Sequence, residues 1–244
     1  MCFHYSLKNK KRKRQLKAKD LFAQQETSFE SVYHANGFNN PMMPVITNVD
    51  SDKLQMFSWG LIPGWTKSMD EAEKIRKMTL NAKSETIYEK PSFRNAIKSK
   101  RCLIPATGFF EWQTVNNKKY PYYISLKDED VFMFAGIWDS WTDKQSGEII
   151  NTFSIITTTA NLLLQKIHNV KQRMPVILEP EKEYLWLENS LKPDNITSLL
   201  LPYNTNEMTA YTIGKQISST HVNTNNEDIL KPFSYPELID NRLF

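Results

Sequence analysis

Many of the hydrophobic positions of this chain fall in short runs that are rich in aromatic and β-branched residues. Runs of this composition, bounded by polar and turn-forming residues, are typical of β-strands. They predict strands at residues 120–126, 131–137 and 152–158. We therefore expect β-sheet to form a principal part of the fold.

Three other segments begin with signals that are typical of helices. The segment 68–80 starts with Ser68, which is suited to cap a helix, and carries acidic residues in its first turn. The segments 91–100 and 180–189 each begin with proline, which is favoured at the first helical position. These helices do not alternate regularly with the strands. The pattern therefore favours an α+β fold with antiparallel sheet over a doubly wound parallel fold.

Composition places the chain among proteins that fold without disulfide bonds. Its 244 residues can bury a substantial core, and no repeat or low-complexity linker marks a boundary, so we predict one domain over residues 1–244. Two cysteines are too few for a disulfide framework, which fits a reducing cytoplasm. We find neither a bilayer-spanning apolar run nor a secretory signal, and we predict a cytoplasmic monomer without a membrane partner.

The positive charge of the chain is concentrated near its N-terminus. The net charge is only +4, yet eight lysines and arginines and no acidic residue lie from Lys8 to Lys19. A basic tract of this kind often contacts phosphate groups. It is equally compatible with a solvated surface helix or a disordered arm, and the sequence leaves these interpretations open.

The second residue, Cys2, directly follows Met1 and has a distinctive chemical potential. If Met1 is removed, the mature chain begins with a free α-amine beside a thiol. This 1,2-aminothiol can condense with an aldehyde to a Schiff base, and the thiol can then close a five-membered ring on the imine carbon. An internal cysteine cannot react in this way, because its nitrogen is an amide. Taken alone, Cys2 is also compatible with an ordinary cysteine.

Further candidates lie in three separate segments of the chain. The first is Asn-Ala-Lys-Ser-Glu-Thr at 81–86. In the second, 101–112, Glu111 lies within an apolar and aromatic run, where a carboxyl group tends to have a raised pKa and can act as an acid or base. In the third, His168 could relay protons and Arg173 could bind a phosphate. Individually, these three residues could also be a solvent-facing glutamate, a structural histidine and a surface arginine.

Together and in this order, the segments resemble the SRAP family of abasic-site processing proteins. The resemblance rests on Cys2, on Asn-Ala-basic-x-Glu-Thr at 81–86, on Arg-Cys-Leu-Ile-Pro-Ala-x-Gly-Phe-aromatic-Glu-Trp at 101–112, and on Ile-His followed by Arg-Met-Pro within 167–175. The segment from Trp59 to Trp65 is similar to the family's tryptophan-containing loop. The resemblance covers residues 1–213 and leaves a C-terminal tail over about 214–244.

The resemblance implies both a fold and a reaction. The implied fold is a single α+β domain in which curved, mostly antiparallel sheets form a barrel-like core with peripheral helices. Family members bind abasic sites in single-stranded DNA, and their mature N-terminal cysteine forms a stable thiazolidine with the ring-opened aldehyde. This lyase-like cross-link shields the lesion during DNA repair and the SOS response. It is accompanied by peptidase-like self-removal of Met1 and requires no metal or other cofactor.

The resemblance also implies a role for each site residue. Cys2 would be the nucleophile, and Asn81 would position the amine or the sugar. Glu111 would move protons and take part in removing Met1, and His168 would assist sugar ring opening and reversal of the link. The implied DNA-binding residues also include His4. Lys83 and Arg173 would bind flanking phosphates, and Trp59 and Trp65 would face unstacked bases or wedge the strand.

The chain departs from the family pattern in three places. Phe3 and His4 replace a Gly-Arg pair at which a phosphate contact is expected. Lys83 stands where the family more often has arginine, so the bidentate fork of a guanidinium is lost. Residues 169–172 make the spacing before Arg173 longer than is usual in the family.

Two other functions remain compatible with the sequence. In an N-terminal-nucleophile hydrolase, Cys2 would attack an amide or ester and form a transient acyl-enzyme. A module that binds single-stranded DNA without covalent chemistry would need the basic and aromatic residues but not Cys2. The second cysteine, Cys102, lies in an apolar run and is predicted to be a core residue.

Overall fold

The computed structural model describes residues 2–8 and 30–239, which contain thirteen strands and six α-helices. The strands are β1 His4–Leu7, β2 Val32–Asn36, β3 Met42–Thr47, β4 Asp50–Trp59, β5 Asn81–Lys83, β6 Arg101–Ala106, β7 Gly108–Val115, β8 Lys118–Leu126, β9 Phe132–Thr142, β10 Ile149–Thr159, β11 Arg173–Pro175, β12 Ile177–Leu178 and β13 Met208–Thr212. The helices are α1 Met69–Arg76, α2 Ala96–Ser99, α3 Leu162–Ile167, α4 Glu183–Leu187, α5 Pro193–Ser198 and α6 Pro236–Ile239. Short 3₁₀ helices cover Gly37–Asn39, Ser84–Thr86, Pro180–Lys182, Thr205–Glu207, Lys215–Ser218 and Glu227–Leu230.

Five strands close into a barrel, in the order β10–β4–β3–β6–β9 and back to β10. Neighbouring strands of the barrel run antiparallel except β4 and β10, which run parallel. The short strands β5 and β11 extend along β10, and β12 extends along β9. The predicted α+β domain with a barrel-like core is therefore confirmed. Cys102, on β6, is fully buried, as predicted.

A second, antiparallel sheet carries the N-terminal strand, in the order β13–β8–β7–β1–β2. On β1 and β7, Tyr5 pairs with Phe109 and Ser6 pairs with Gly108. A Cβ atom at Gly108 would lie 2.2 Å from the ring of Tyr123, so only glycine permits this close packing. The glycine of the 101–112 motif therefore has a structural role at the seam between these strands.

The three predicted strands form as β8, β9 and β10, and each is slightly longer than predicted. The predicted helices are shorter. Ser68 does cap α1, since its side chain accepts a hydrogen bond from the Glu71 amide at 3.3 Å. The segment 91–100 is helical only in α2, and 180–189 contains a 3₁₀ turn followed by α4. None of the helices found in residues 2–8 and 30–239 is long and apolar enough to span a membrane.

The segment after β13 packs onto the second sheet. Ile229 and Leu230 are buried in a cluster that includes Phe110 of β7. The Tyr235 hydroxyl donates a hydrogen bond to the Ile213 carbonyl oxygen at 2.7 Å. Residues 214–239 are thus part of the packed body, whereas the predicted limit of the resemblance at about residue 213 stays a prediction. Of the basic tract, Lys8 is described and the other residues lie outside the described part of the chain.

Candidate functional site

A cavity of about 460 Å³ opens where β1, β7 and the turn after α3 meet. Its walls combine aromatic, histidine and lysine side chains with one carboxyl group. The lining residues are Phe3, His4, Glu111, Trp112, Thr114, Lys119, His168, Val170, Lys171 and Ser218. The cavity therefore brings together residues that are more than 100 positions apart in the sequence.

Cys2 is fully buried and directly precedes the cavity residue Phe3. Because β1 and β7 run antiparallel from the Tyr5–Phe109 pair, the residues before β1 lie beside those that follow Phe109, including Glu111. Burial raises the pKa of the Cys2 thiol well above its ordinary value, and the charge of the Glu111 carboxylate raises it further. At neutral pH the thiol is therefore protonated, and it needs a base before it can react efficiently.

Glu111 lies inside β7, with only 4% of its surface exposed. Burial raises the pKa of its carboxyl group from 4.5 to about 7, although positive charge nearby, including that of Lys171, acts in the opposite direction. A carboxyl group with this pKa is divided between its acid and base forms near neutral pH. The solvent-facing alternative for Glu111 is wrong, and the environment suits an acid–base role.

His168 follows the last residue of α3 and lies next to Glu111. Its Nδ1 atom is 2.9 Å from the Arg173 carbonyl oxygen and 3.5 Å from Glu111 Oε1. A carbonyl oxygen can only accept, so Nδ1 carries the hydrogen and Nε2 is the unprotonated nitrogen of the neutral ring. Burial lowers the pKa of His168 to about 4, which keeps the ring neutral at pH 7. His168 is therefore suited to accept a proton at Nε2.

The residues between His168 and Arg173 form a turn that is fastened to β7. The Asn169 side chain accepts a hydrogen bond from the Thr114 amide at 3.0 Å and donates one to the Thr114 carbonyl oxygen at 2.8 Å. The Gln172 amide donates to the His168 carbonyl oxygen at 2.8 Å, and Gln172 has a left-handed backbone with φ of 49°. The long spacing thus forms a closed turn that keeps His168 against Glu111.

We expect the Glu111→Gln variant to show a different dependence of stability on pH. The folded-state pKa of Glu111 is raised, so the stability contributed by its protonated form is complete below about pH 4.5 and is lost as the pH rises through about 7. Between these pH limits, the free energy of unfolding of wild type should therefore fall by on the order of 3 kcal/mol relative to that of Glu111→Gln. Urea unfolding of both proteins from pH 4 to pH 8 measures the difference. A constant difference across this range would contradict the raised pKa.

Asn81 lies on β5, where it pairs in parallel with Ile155 of β10. Only 7% of its surface is exposed, and its side-chain oxygen and nitrogen have no hydrogen-bond partner among the described residues. A buried side-chain amide without a hydrogen-bond partner lowers the stability of the fold. Such a group usually binds a water molecule or a ligand, or has a functional role. Asn81 makes no hydrogen bond to Cys2, Glu111 or His168, and its positioning role stays a prediction.

Arg173 is already engaged by protein groups. Its Nη1 atom is 2.5 Å from Glu85 Oε1, and its Nη2 atom donates to the Thr157 carbonyl oxygen at 2.7 Å. Glu85 belongs to the 81–86 motif, so this ion pair joins two of the segments that carry the family resemblance. Lys83, in the same motif, is exposed. Phosphate contacts by Lys83 and Arg173 stay predictions.

The predicted contact of Trp59 with unstacked bases is wrong. Trp59 is fully buried at the end of β4, and its indole N–H donates to the Leu80 carbonyl oxygen at 2.8 Å. Its ring lies parallel to that of Phe153, with 6.1 Å between the ring centroids. A base could reach Trp59 only if the core opened. Trp65 is 48% exposed, and its contact with bases stays a prediction.

Alanine substitutions should separate the two tryptophans. Trp59→Ala should lower the free energy of unfolding by about 3–5 kcal/mol, because it leaves a cavity in the core. Trp65→Ala should leave stability almost unchanged and should raise the DNA concentration required for half-maximal reaction, since stacking contributes roughly 1–3 kcal/mol per base. Urea unfolding and a DNA titration measure these effects. Similar stability losses in the two variants would contradict this assignment.

Sequence analysis missed several residues near the cavity. Lys119 and Lys171 line it and are exposed, so they can supply positive charge. Phe38 is 54% exposed, and its ring packs against Phe3 with 4.9 Å between the centroids. The position of Lys171, between His168 and Arg173, was the available signal, whereas nothing local in the sequence distinguished Phe38. Its exposure depends on how residues 37–39 pack beside β1.

His4 lies on the cavity wall, and its ring lies edge to edge with that of His34, with an angle of 23° between the ring planes and 5.0 Å between the centroids. Burial and the neighbouring His34 lower the pKa of His4 to about 3, so the ring is neutral at pH 7. A neutral imidazole can donate or accept a hydrogen bond but cannot form an ion pair. DNA binding by His4 stays a prediction, and any contact that it makes at pH 7 would be an uncharged hydrogen bond. Among residues 2–8 and 30–239, no cluster of three or more histidine, cysteine or acidic side chains could hold a metal ion.

Comparisons with known proteins show which family the chain is similar to. The sequence profile of a family described as SOS response associated peptidase (SRAP) matches residues 1–220. The chain is 40% identical over 200 residues to the abasic site processing protein YoqW of Bacillus subtilis, an alignment that covers 80% of this chain and 86% of YoqW. It is 40% identical over 185 residues to the abasic site processing protein YoaM of the same organism, covering 75% and 78% of the two chains. A crystal structure of a protein from Bacteroides thetaiotaomicron is 43% identical, with a TM-score of 0.85, and covers 96% of this chain and 100% of the other.

Proposed function

The chain belongs to the SOS response associated peptidase (SRAP) family, and from this we propose that it processes abasic sites in single-stranded DNA by forming a covalent link through Cys2. The observation that carries the proposal is the buried grouping of Cys2, Glu111 and His168 beside an open cavity. After removal of Met1, the α-amine and thiol of Cys2 can condense with an aldehyde, and Glu111, with a pKa of about 7, and the neutral imidazole of His168 are suited to move the protons.

The first step of the proposed reaction produces the free α-amine of Cys2. Hydrolysis of the Met1–Cys2 peptide bond consumes one water molecule and releases methionine. Glu111 in its carboxylate form removes a proton from this water, and its acid form protonates the leaving amine. The free α-amine has an ordinary pKa of about 7.7–8.0, so a useful fraction is neutral at pH 7 and can attack a carbonyl carbon.

The remaining steps form the ring. The Cys2 amine adds to the C1′ aldehyde of the ring-opened abasic sugar, and the resulting carbinolamine loses water to form a Schiff base. The Cys2 sulfur then adds to the imine carbon, and its proton passes through Glu111 to the nitrogen. One water molecule leaves in total, and the product is a thiazolidine. His168 assists when the sugar ring opens: as the bond from C1′ to the ring oxygen breaks, the proton of the C1′ hydroxyl passes by way of His168 to that ring oxygen, which leaves the aldehyde.

The proposed DNA partner is single-stranded because the exposed aromatic rings can stack only on unpaired bases. Trp65 and Phe38 are the exposed aromatic residues that support this, and Lys119 and Lys171 supply charge beside the cavity. Stacking together with phosphate contacts is the usual mode of single-strand binding. Action as a cytoplasmic monomer during DNA repair stays a prediction.

A denaturing gel tests the proposal directly. The mature protein is incubated with single-stranded oligonucleotides that are identical except for one abasic site. An adduct that survives denaturation should appear with the abasic strand and not with the intact strand. Binding of both strands without any adduct would support the non-covalent module, and turnover of amide or ester substrates without an adduct would support the hydrolase.

A further inference from the structure

A chain of hydrogen bonds leads from His4, on the wall of the cavity, through His34 to Thr224 in the C-terminal segment. We propose that Thr224 and His34 form a relay that holds His4 as a neutral hydrogen-bond donor to an oxygen atom of the DNA strand. Thr224 is therefore a positioning residue that acts through His34. This inference rests on the proposed function, because it assigns a contact to the DNA that the cavity would bind.

The relay consists of two short contacts in series. The Thr224 hydroxyl oxygen is 2.7 Å from His34 Nδ1, and His34 Nε2 is 2.8 Å from His4 Nδ1. The remaining polar atom, Nε2 of His4, has no hydrogen-bond partner in the described part of the chain, and the His4 ring lines the cavity. The relay thus begins at residue 224 and ends at an atom that is available to a ligand.

The positions of the hydrogens in the relay are limited by how many hydrogens each group carries: one on each neutral histidine ring and one on the Thr224 hydroxyl. Only one hydrogen can lie between His34 Nε2 and His4 Nδ1 in two neutral rings. If the Thr224 hydroxyl donates to His34 Nδ1, then His34 Nε2–H donates to His4 Nδ1. The hydrogen of the neutral His4 ring is then on Nε2, facing the cavity. Donation by the Thr224 hydroxyl, which is the direction that the proposal assigns, therefore selects the tautomer of His4 that can donate to a DNA oxygen.

The surroundings keep both rings neutral and fixed. His34 is 8% exposed, and its ring meets the edge of Phe110 with 5.3 Å between the centroids. The His4 ring meets Trp112 in an edge-to-face arrangement at 5.0 Å. Burial lowers the pKa of His34 to about 4, which agrees with a pair that carries no charge at pH 7.

The C-terminal segment is anchored where the relay begins. Asn225 Oδ1 accepts hydrogen bonds from the amides of Tyr33 and His34 at 2.7 and 3.3 Å. The family profile ends at residue 220, so Thr224 and Asn225 lie beyond the matched region. This segment of the chain therefore holds His34, the neighbour of the cavity residue His4, although it lies outside the family match.

The group that His4 would meet is an oxygen acceptor of the DNA strand, either a phosphate oxygen or a deoxyribose oxygen. A neutral donor can bind either, because both accept a hydrogen bond. The contact replaces the ionic one that an arginine at this position would make. It should therefore help to position the strand without adding to the dependence of binding on salt.

The test compares Thr224→Val with Thr224→Ser. Valine is similar in shape to threonine but lacks the hydroxyl, whereas serine keeps it. We expect Thr224→Val to raise the abasic DNA concentration for half-maximal adduct formation roughly 3- to 10-fold, the factor for losing one hydrogen bond, with the maximal rate nearly unchanged. Thr224→Ser should behave as wild type. Equal concentrations for Thr224→Val and wild type would overturn the inference, as would a serine variant as impaired as the valine variant.

A second measurement does not depend on the reaction. In the DNA-free protein, the ¹⁵N chemical shifts of the His4 ring should identify Nε2–H as the main tautomer in wild type and in Thr224→Ser. In Thr224→Val, the Nδ1–H form should increase. An unchanged tautomer would overturn the relay even if wild type forms the adduct. Absence of an adduct with wild type, with the tautomer shift present, would instead contradict the proposed function.

Modified DNA identifies the acceptor. A neutral methylphosphonate is placed on either side of the abasic site in turn. If His4 contacts a phosphate, one of these positions should reduce the difference between wild type and Thr224→Val. A difference that is unchanged at both positions assigns the contact to a deoxyribose oxygen.

Discussion

Cys2→Ala should abolish the covalent adduct with abasic single-stranded DNA. Alanine retains the α-amine and can still form a Schiff base, but this bond hydrolyses, and without a thiol no thiazolidine can form. The gel-stable product should therefore fall below detection, while a Schiff base trapped with borohydride should remain. Mass spectrometry of the wild-type protein should show that Met1 is absent. An undiminished adduct in Cys2→Ala would contradict the assignment of the nucleophile.

Two controls test whether the adduct requires the thiol of Cys2 in particular and whether it requires the free α-amine. Cys102→Ala removes the other thiol, which is fully buried on β6, and should leave the adduct intact although the fold is somewhat destabilised. Wild-type protein with a peptide tag retained before Cys2 keeps the thiol but lacks the free amine. It should form no adduct, and an adduct in that protein would mean that the thiol reacts alone.

On protein from which Met1 has already been removed, Glu111→Gln should slow cross-linking by about 10²–10⁴-fold, the usual contribution of a general acid–base group. Glutamine has nearly the same shape, so the protein should remain folded. In the proposed ring closure the Glu111 carboxylate takes the thiol proton, and the pKa of that thiol is raised by burial. Single-turnover rates at saturating abasic DNA measure the effect on chemistry without the contribution of binding. A rate equal to wild type would remove Glu111 from the mechanism.

The pH dependence of the rate gives a sharper test of Glu111. Its pKa is about 7, so the carboxylate form increases as the pH rises through this value, and the wild-type rate should rise with it. The α-amine adds a second rise near its ordinary pKa of 7.7–8.0. Glu111→Gln should lose the first rise and keep the second.

Sequence reasoning succeeded where the signal was local. Ser68 caps α1 because a serine oxygen satisfies an amide in the following turn, whatever lies elsewhere in the fold. The aromatic and β-branched runs formed β8, β9 and β10 for a similar reason, since their side chains suit a sheet surface. Helix lengths were less predictable, because tertiary packing determines where a helix ends.

Tertiary structure decided the roles that depend on burial. Trp59 and Trp65 are six residues apart, yet one is enclosed by Phe153 and the Leu80 carbonyl oxygen and the other is exposed. No local pattern separates them, because the groups that cover Trp59 come from other parts of the chain. The motif alone therefore suggested a DNA contact that the fold does not permit.

By itself, the sequence determined the chemistry that is available to this protein: a thiol beside a potential N-terminal amine, a glutamate within an apolar run and the ordered motifs of one family. Only the tertiary structure decided how these groups act on one another. The pairing of β1 with β7 brings Cys2 to Glu111, and enclosure by the fold raises the pKa of Glu111 to about 7. The contact between His4 and His34 likewise requires two strands to meet. Desolvation and hydrogen bonding depend on neighbours in space, whereas the order of residues specifies only neighbours along the chain.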